Sequence, residues 1–313
     1  MSEENGTAVA PAAPAAPAGP ATSSRPGLLL AAVSLLWLAA MLVSARVTIT
    51  GREQAEMEVT STAYALPGAI SATLVAGAAV ALSVLALLDR SRRTPGATAR
   101  LAIAVGSGLV TGLLAAASMV TINVEGWLYA VVGGTLAAAG TIGGAAATAR
   151  IPRVPATVCW AALAVFAVGL GLNLFQGPLL ELFGAGDSQA SQAGAVRWFT
   201  MTQSIGSGLA AGLAGYAVLR HARRRHGGTD VRWPWYALAG AGPGVVLLIA
   251  EALTRTAGAR VLDLAGRVSE LELAAQDMLS GARINTALIV TFVGAITAII
   301  AVGRTLGPAP DDD

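Results

Sequence analysis

Eight long stretches of the chain, each of at least 19 residues, together carry a single charged side chain, and this pattern constrains the fold more than any other feature. An α-helix rises about 1.5 Å per residue, so each stretch is long enough to cross a hydrocarbon layer of roughly 30 Å. Lipid offers the backbone no hydrogen-bond partners, which favours helices, and the sequence lacks the polar–apolar alternation of barrel strands. The chain is therefore predicted to be an all-α polytopic membrane protein, a bundle of eight transmembrane helices. These predicted spans 1–8 cover residues 27–45, 63–88, 101–120, 127–149, 156–175, 199–219, 234–254 and 285–303.

Composition agrees with a membrane protein and excludes an ordinary soluble enzyme. Charged residues make up 12% of the 313 residues, whereas a soluble chain carries about a quarter. We expect a transmembrane domain over 27–304, a disordered Pro/Ala-rich tail over 1–26 and an acidic tail over 305–313. The lipid bilayer is the first partner that the sequence implies. A net charge of +2 and the lack of a basic, aromatic patch argue against nucleic acid.

The arginines predict how the chain is oriented in the membrane. All 20 basic residues are arginine, and 13 of them fall in the two tails and in the loops at 89–100, 150–155 and 220–233, which share one side. Because positive residues concentrate in cytoplasmic loops, this side and both termini are predicted to be cytoplasmic. The absence of lysine and the abundance of Ala and Gly suggest a GC-rich bacterial genome, and hence a bacterial plasma membrane.

The first span has a second interpretation. Val43-Ser44-Ala45 resembles the small-residue cleavage site of a signal peptide. Cleavage there would leave seven helices and an N-terminus outside the cell. The single arginine before the span and the length of the span argue against it.

Residues 259–281 are predicted to form an amphipathic helix outside the cytoplasm. Its polar face carries Arg260, Asp263, Arg267, Glu270 and Gln276. Such a helix lies on the membrane or caps the loops, and it also offers a surface to a protein partner. Its apolar positions recur at helical spacing: Val261, Leu264, Ala265, Val268, Leu271, Ala275, Met278 and Leu279.

A short sequence similarity suggests an internal repeat. Residues 106–113, GSGLVTGL in span 3, match residues 206–213, GSGLAAGL in span 6. Spans 3–5 and spans 6–8 would then form an inverted repeat, an arrangement common in secondary transporters. A chain this rich in Gly, Ala and Leu also produces such matches by chance, so both interpretations stay open.

Small residues four apart predict close contacts between helices. Glycines at this spacing share a helix face and let two backbones approach, whatever the function. Pro243 lies among glycines in span 7, where we expect a kink or a break because proline removes a backbone hydrogen bond. The glycine pairs are Gly108/Gly112, Gly140/Gly144, Gly208/Gly212 and Gly240/Gly244.

Glu251 in span 7 is the one charged residue inside the eight spans. A charged group in a membrane helix is a candidate proton or ion site. Arg255 follows at i+4, however, so a structural ion pair is the competing interpretation. If Asn173, Gln203 and Asn285, which fall at a similar level, converge on Glu251, they form a polar vestibule.

The sequence offers little support for catalysis. It contains no metal-ligand spacing, no cofactor motif and no nucleophile with a general-base partner. Two hypotheses for function stand ahead of a third, a membrane-embedded enzyme. The first is a permease for a small solute or ion. The second is a non-catalytic scaffold or accessory subunit, acting through residues 259–281 and the cytoplasmic loops.

Overall fold

The computed structural model describes residues 25–51, 55–91, 96–122, 127–149, 153–225, 233–267 and 269–305, and the predicted tails lie almost wholly outside them. This part of the chain is helical, with turns and short connections and no strand. The predicted all-α fold is confirmed. The ten helices of the described residues are α1 (Arg25–Thr50), α2 (Ala55–Arg90), α3 (Ala97–Val120), α4 (Trp127–Ala146), α5 (Val154–Leu174), α6 (Gln176–Leu182), α7 (Gln189–Arg225), α8 (Trp233–Thr256), α9 (Ala259–Gly266) and α10 (Glu270–Gly303).

Seven helices of the described residues are long and apolar enough to cross a membrane: α1–α5, α8 and α10. The chain is therefore a multi-pass membrane protein whose apolar helices contact lipid. Helix α7 contains predicted span 6 and has 37 residues, but it is not among the seven. Gln203 and several Ser and Gly residues make it less apolar than the others. The eighth span stays a prediction.

The long helices alternate in direction. At one end of the bundle Ser83 Oγ, late in α2, donates to Gly27 O, early in α1, over 2.7 Å. At the other end Arg46 Nη1, late in α1, donates to Thr121 Oγ1, just after α3, over 2.9 Å. We call the first end the arginine-rich end, after Arg90, Arg100, Arg153 and Arg220, and the second the Glu251 end.

The segment 259–281 differs from the single amphipathic helix that the sequence predicts. Helix α9 ends at Gly266, and α10 begins at Glu270, where the hydroxyl of Ser269 accepts a hydrogen bond from the Glu272 amide over 3.0 Å. Helix α10 then runs without interruption through the predicted start of span 8 at residue 285. The segment is thus two helices, of which the second is the extension of a membrane span.

The two faces of early α10 also point the opposite way from the prediction. Leu271 is 85% exposed and Met278 77%, whereas Gln276 is buried. Two polar side chains lie on the inner face of early α10. Gln276 Nε2 donates to Glu272 Oε1 of the same helix over 2.9 Å, while its Oε1 is buried without a partner among the described residues, and Ser280 donates to Glu251 of α8. Only in α9 are the predicted apolar positions buried, at Val261 and Ala265.

Two three-helix clusters pack around equivalent glycines. In the first cluster (α2, α3, α4), Gly140 of α4 lies against Gly77 of α2 and Gly108 of α3. In the second cluster (α7, α8, α10), Gly294 of α10 lies against Gly212 of α7 and Gly240 of α8. An added Cβ at either central glycine would overlap the backbone of a neighbouring helix, so both crossings require glycine.

The second member of each predicted glycine pair also lies at a close helix contact. A Cβ added to Gly144 of α4 would stand 3.0 Å from the Cα of Gly108, so the pairs of α3 and α4 face each other. A Cβ added to Gly244 of α8 would stand 2.5 Å from the amide nitrogen of Thr291 in α10. The glycine pair of α8 therefore packs on α10. The pair of α7 also packs on α10, because a Cβ added to Gly208 would stand 2.7 Å from the Cβ of Val293.

The predicted inverted repeat does not describe these contacts. Gly108 and Gly112 of α3 pack on α4, but Gly208 and Gly212 of α7 pack on α10 instead of α8. Helix α5 packs on α7 and α8, outside the triplet of α3 and α4 to which the prediction assigned it. The similar sequences at 106–113 and 206–213 therefore lie in different surroundings, as chance matches in a Gly- and Ala-rich chain do.

The packing instead relates the two clusters in a parallel sense. Taken in chain order, α2, α3 and α4 run in the same directions as α7, α8 and α10. The preceding long helices also correspond, because α1 packs along α2 and α5 along α7. Trp37 of α1 and Phe166 of α5 stack face to face, with ring centroids 5.2 Å apart. The eight long helices of the described residues thus form two four-helix units of like topology, α1–α4 and α5, α7, α8 and α10.

Candidate functional site

Glu251 is the centre of a polar cluster at one end of the second cluster of helices. It lies near the end of α8 and is 4% exposed. Arg255 Nε donates to Glu251 Oε1 over 3.0 Å, as the i+4 spacing predicts. From α10, Arg283 Nε donates to Glu251 Oε2 over 2.7 Å, and Ser280 Oγ donates to Oε1. The carboxylate therefore joins α8 to α10.

The cluster contains one more positive charge than negative. A buried carboxylate is stable only when it is paired and hydrogen-bonded, and Glu251 is both. Two guanidinium groups share this one carboxylate, however. The Nη2 atom of Arg283 is buried and has no hydrogen-bond partner within the described part of the chain. Because buried polar groups are nearly always satisfied, this atom marks unused binding capacity.

A cavity of about 380 Å³ lies beside Glu251 and Arg283. Its size is within the range of small-molecule sites. Next to it Ser204 Oγ of α7 and Thr286 Oγ1 of α10 are 3.1 Å apart and share a hydrogen bond. We call this space the Glu251 cavity. It is lined by Pro67, Gly68 and Ser71 of α2, Thr200 of α7, Leu247, Ala250 and Glu251 of α8, and Leu279, Ala282, Arg283 and Thr286 of α10.

A second cavity, of about 290 Å³, lies nearer the arginine-rich end and is lined by residues of α2, α4, α5 and α8. We call it the apolar cavity, because its walls are formed by side chains such as Leu74 and Val75 of α2 and Val245 and Val246 of α8. Ser71 and Leu74 are less than one helical turn apart, as are Leu247 and Val246. The two cavities therefore border neighbouring turns of α2 and α8, but on α8 they lie on different faces: Leu247, Ala250 and Glu251 line the first, and Gly242, Val246 and Ile249 line the second.

The other predicted site residues do not join Glu251. Pro243 is buried in α8, which continues through it without a break, and Asn173 and Asn285 are exposed. Gln203 is half-buried and faces α5, where its Nε2 would lie 3.5 Å from a Cβ at Gly169. None of these four residues lines the Glu251 cavity. Of the predicted site residues, Glu251 alone lines this cavity, and the predicted polar vestibule does not form.

Sequence reasoning missed Ser280 and Arg283. Ser280 falls in the predicted external helix 259–281, Arg283 lies between that helix and span 8, and Arg283 is separated from Glu251 by 32 residues of sequence. One signal was present: Gln276, Ser280 and Arg283 are spaced to share one face of a helix. That signal is readable only if α10 is extended back to residue 270.

Comparison of the chain with protein-family models, with curated proteins and with solved structures gives no match in any of the three. Function must therefore be argued from the geometry of the site. Within the described ranges no group of three or more His, Cys, Asp or Glu side chains is placed to hold a metal ion. The chemistry that the site offers is electrostatic: two guanidinium groups, one carboxylate and a cavity beside them.

Proposed function

We propose that the protein is a permease that moves a small solute across the membrane along the α2–α8 interface. The observation that carries this proposal is that the Glu251 cavity and the apolar cavity are both lined by α2 and α8, one helix from each of the two four-helix units of like topology. Transporters built from parallel repeats place their substrate between the repeats, near the middle of the membrane. Rocking of one unit against the other would open the cavities in turn.

The proposal includes a location. We place the protein in a bacterial plasma membrane with both termini in the cytoplasm, because 13 of its 20 arginines lie in the tails and in the loops of the arginine-rich end. The Glu251 cavity then opens toward the outside of the cell. It would receive solute from the medium, and the apolar cavity would face the cytoplasmic half of the path.

The test is uptake by proteoliposomes with a plug that can be added after folding. Ala282 lines the Glu251 cavity and is exposed, so Ala282→Cys offers a thiol at its wall. Met278→Cys is the matched control, since Met278 lies one turn earlier on α10, is 77% exposed and does not line the cavity. The background is Cys159→Ala, which removes the buried native thiol.

Labelled rubidium, glucose, alanine and butyrate are the four probes, measured against protein-free vesicles. We expect uptake of at least one probe above the leak. A bulky thiol reagent should abolish that uptake for Ala282→Cys and leave Met278→Cys unchanged. No uptake of any probe, or uptake that survives the reagent at Ala282→Cys, contradicts a path through this cavity.

A scaffold function is the second candidate, favoured by the exposed apolar side chains of early α10. Leu271, Leu273 and Met278 are 85%, 52% and 77% exposed. A surface of this kind suits lipid or a partner helix. Replacing all three with serine separates the candidates: a permease keeps its reagent-sensitive uptake, whereas a scaffold loses its cellular function although the purified protein is unchanged.

A further inference from the structure

Arg283 has hydrogen-bonding capacity that Glu251 does not use. A guanidinium group has five N–H donors and binds a carboxylate best through two parallel bonds. Glu251 accepts from Nε of Arg283 over 2.7 Å, whereas Nη2, the nitrogen that would complete such a pair, is buried without a partner among the described residues. Glu251 thus uses one of the two parallel donors of Arg283, Nε, and leaves the other, Nη2, unused.

The surrounding acids do not supply the missing negative charge. Glu272, on the same helix, accepts from Gln276 Nε2 over 2.9 Å, and Glu58 of α2 accepts from the Tyr129 hydroxyl. Over the described ranges, Glu251 is the one acid that forms an ion pair with Arg255 and Arg283. One positive charge at the cluster remains uncompensated in this part of the chain, which suits a monoanion.

The rest of the cavity wall provides little for a second polar group. The hydroxyl of Ser71 donates to Gly68 O and that of Thr200 to Val196 O, each over 2.9 Å. Ser204 Oγ donates to Thr200 O, so the hydroxyl of Thr286 donates to Ser204 Oγ, and none of the three wall hydroxyls has a proton free for a ligand. The other walls include Leu247 and Leu279. A ligand that fits has one anionic group and an apolar body.

We propose that the Glu251 cavity binds a small alkyl monocarboxylate, whose carboxylate is held by Arg283. This inference rests on the proposed function and names its substrate class. The ligand carboxylate takes the place of Glu251 Oε2 on Arg283, and Glu251 keeps its bonds to Arg255 and Ser280. Glu251 is then an internal competitor of the ligand as well as a structural ion-pair partner.

The experiment measures how butyrate protects a cavity thiol from alkylation, in detergent-solubilised full-length protein. Ala282→Cys in the Cys159→Ala background reports on the cavity, and Met278→Cys reports on the surface nearby. Butyrate should slow alkylation at position 282 and not at 278. Butyramide, the neutral analogue, should fail to protect. Equal protection by butyramide overturns recognition by charge.

Variants of Arg283 and Glu251 show whether these two residues determine the protection by butyrate. Arg283→Gln should raise the butyrate concentration for half-protection by about tenfold or more, and Arg283→Lys by less, because lysine keeps the charge but loses the planar fork. Glu251→Gln should lower it, since the competitor is gone. If Arg283→Gln does not fold, Arg283→Lys tests the same residue, because it keeps the charge and loses only the planar fork. Unchanged protection in Arg283→Gln overturns the assignment.

The outcomes for binding and for transport are separable. Protection by butyrate without uptake of any probe supports the carboxylate site and contradicts the permease. Reagent-sensitive uptake of rubidium, glucose or alanine without protection by butyrate supports the permease and overturns the carboxylate site.

Discussion

The two helix clusters share a packing device and differ in the polar groups placed beside it. In both, one glycine of the third helix meets glycines of the other two, Gly140 in the first cluster and Gly294 in the second. Tyr129 and Arg283 hold the same position relative to these glycines, eleven residues earlier on α4 and α10. The first donates to Glu58, a neutral donor to a carboxylate, and the second forms an ion pair with Glu251.

This difference separates what holds the bundle together from what gives it chemistry. The glycine crossings set how closely the helices approach and leave no room for a side chain, so they are equal in the two clusters. Three turns along the third helix, the side chain is free to vary. A phenol there satisfies one carboxylate, whereas an arginine adds a charge that a ligand can use. We therefore place function in the second cluster.

The largest expected effect tests the equivalence of the two glycines. Gly140→Leu and Gly294→Leu should each destabilise the protein by more than about 3 kcal/mol, because the added side chain overlaps neighbouring backbone. Gly134→Leu and Gly281→Leu, where nothing lies within 4 Å of an added Cβ, are the controls on the same helices. Thermal unfolding in detergent measures all four. A large loss at one glycine only would break the comparison.

The next effect tests the charged cluster. Glu251→Gln should lower the free energy of unfolding by about 2–3 kcal/mol. Breaking a fully buried pair usually costs about 3–5 kcal/mol, and we expect less here because Arg255 and Arg283 keep some contact with solvent. Its partner measurement is Asp89→Asn, which breaks the exposed pair with Arg100 and should cost less than about 1 kcal/mol. Equal losses in the two variants would mean that burial of Glu251 has no energetic consequence.

A smaller effect is expected in the first cluster. Tyr129→Phe removes the hydroxyl that donates to Glu58 and should lower the free energy of unfolding by about 1.5 kcal/mol, the lower end of the range for a hydrogen bond to a charged group. The same unfolding measurement applies, with butyrate protection of the Ala282→Cys thiol as a second readout. We expect that protection to be unchanged, since Tyr129 lies in the other cluster. A loss of protection would show that the clusters are coupled at the site.

The sequence located the long helices well but did not show how they pack against one another. Apolar length alone locates the helices, because lipid leaves the backbone no alternative. The Glu251–Arg255 pair follows from i+4 spacing on one helix. Arg283 could not be found in this way, because its contact with Glu251 depends on how α10 packs on α8. The orientation of early α10 was missed for a related reason: Ser280 finds its partner, Glu251, on another helix, which no periodicity shows.

The repeat illustrates the same limit. Residues 106–113 and 206–213 are similar because few residue types serve at close helix crossings, and the same types recur in every helix. Equivalence of the clusters lies instead in which helix each glycine touches. Gly108 and Gly240 each meet the central glycine of the third helix, although the sequences around them, GLVTG and GAGPG, share little beyond the glycines.

Counterflow of butyrate tests the central claim most directly. Proteoliposomes preloaded with unlabelled butyrate are diluted into a trace of labelled butyrate, and the label inside is followed over time. A carrier that binds butyrate at Arg283 should accumulate label transiently in the wild type, and Arg283→Gln should show only the leak of protein-free vesicles. No overshoot in the wild type, or an equal overshoot in Arg283→Gln, contradicts the account.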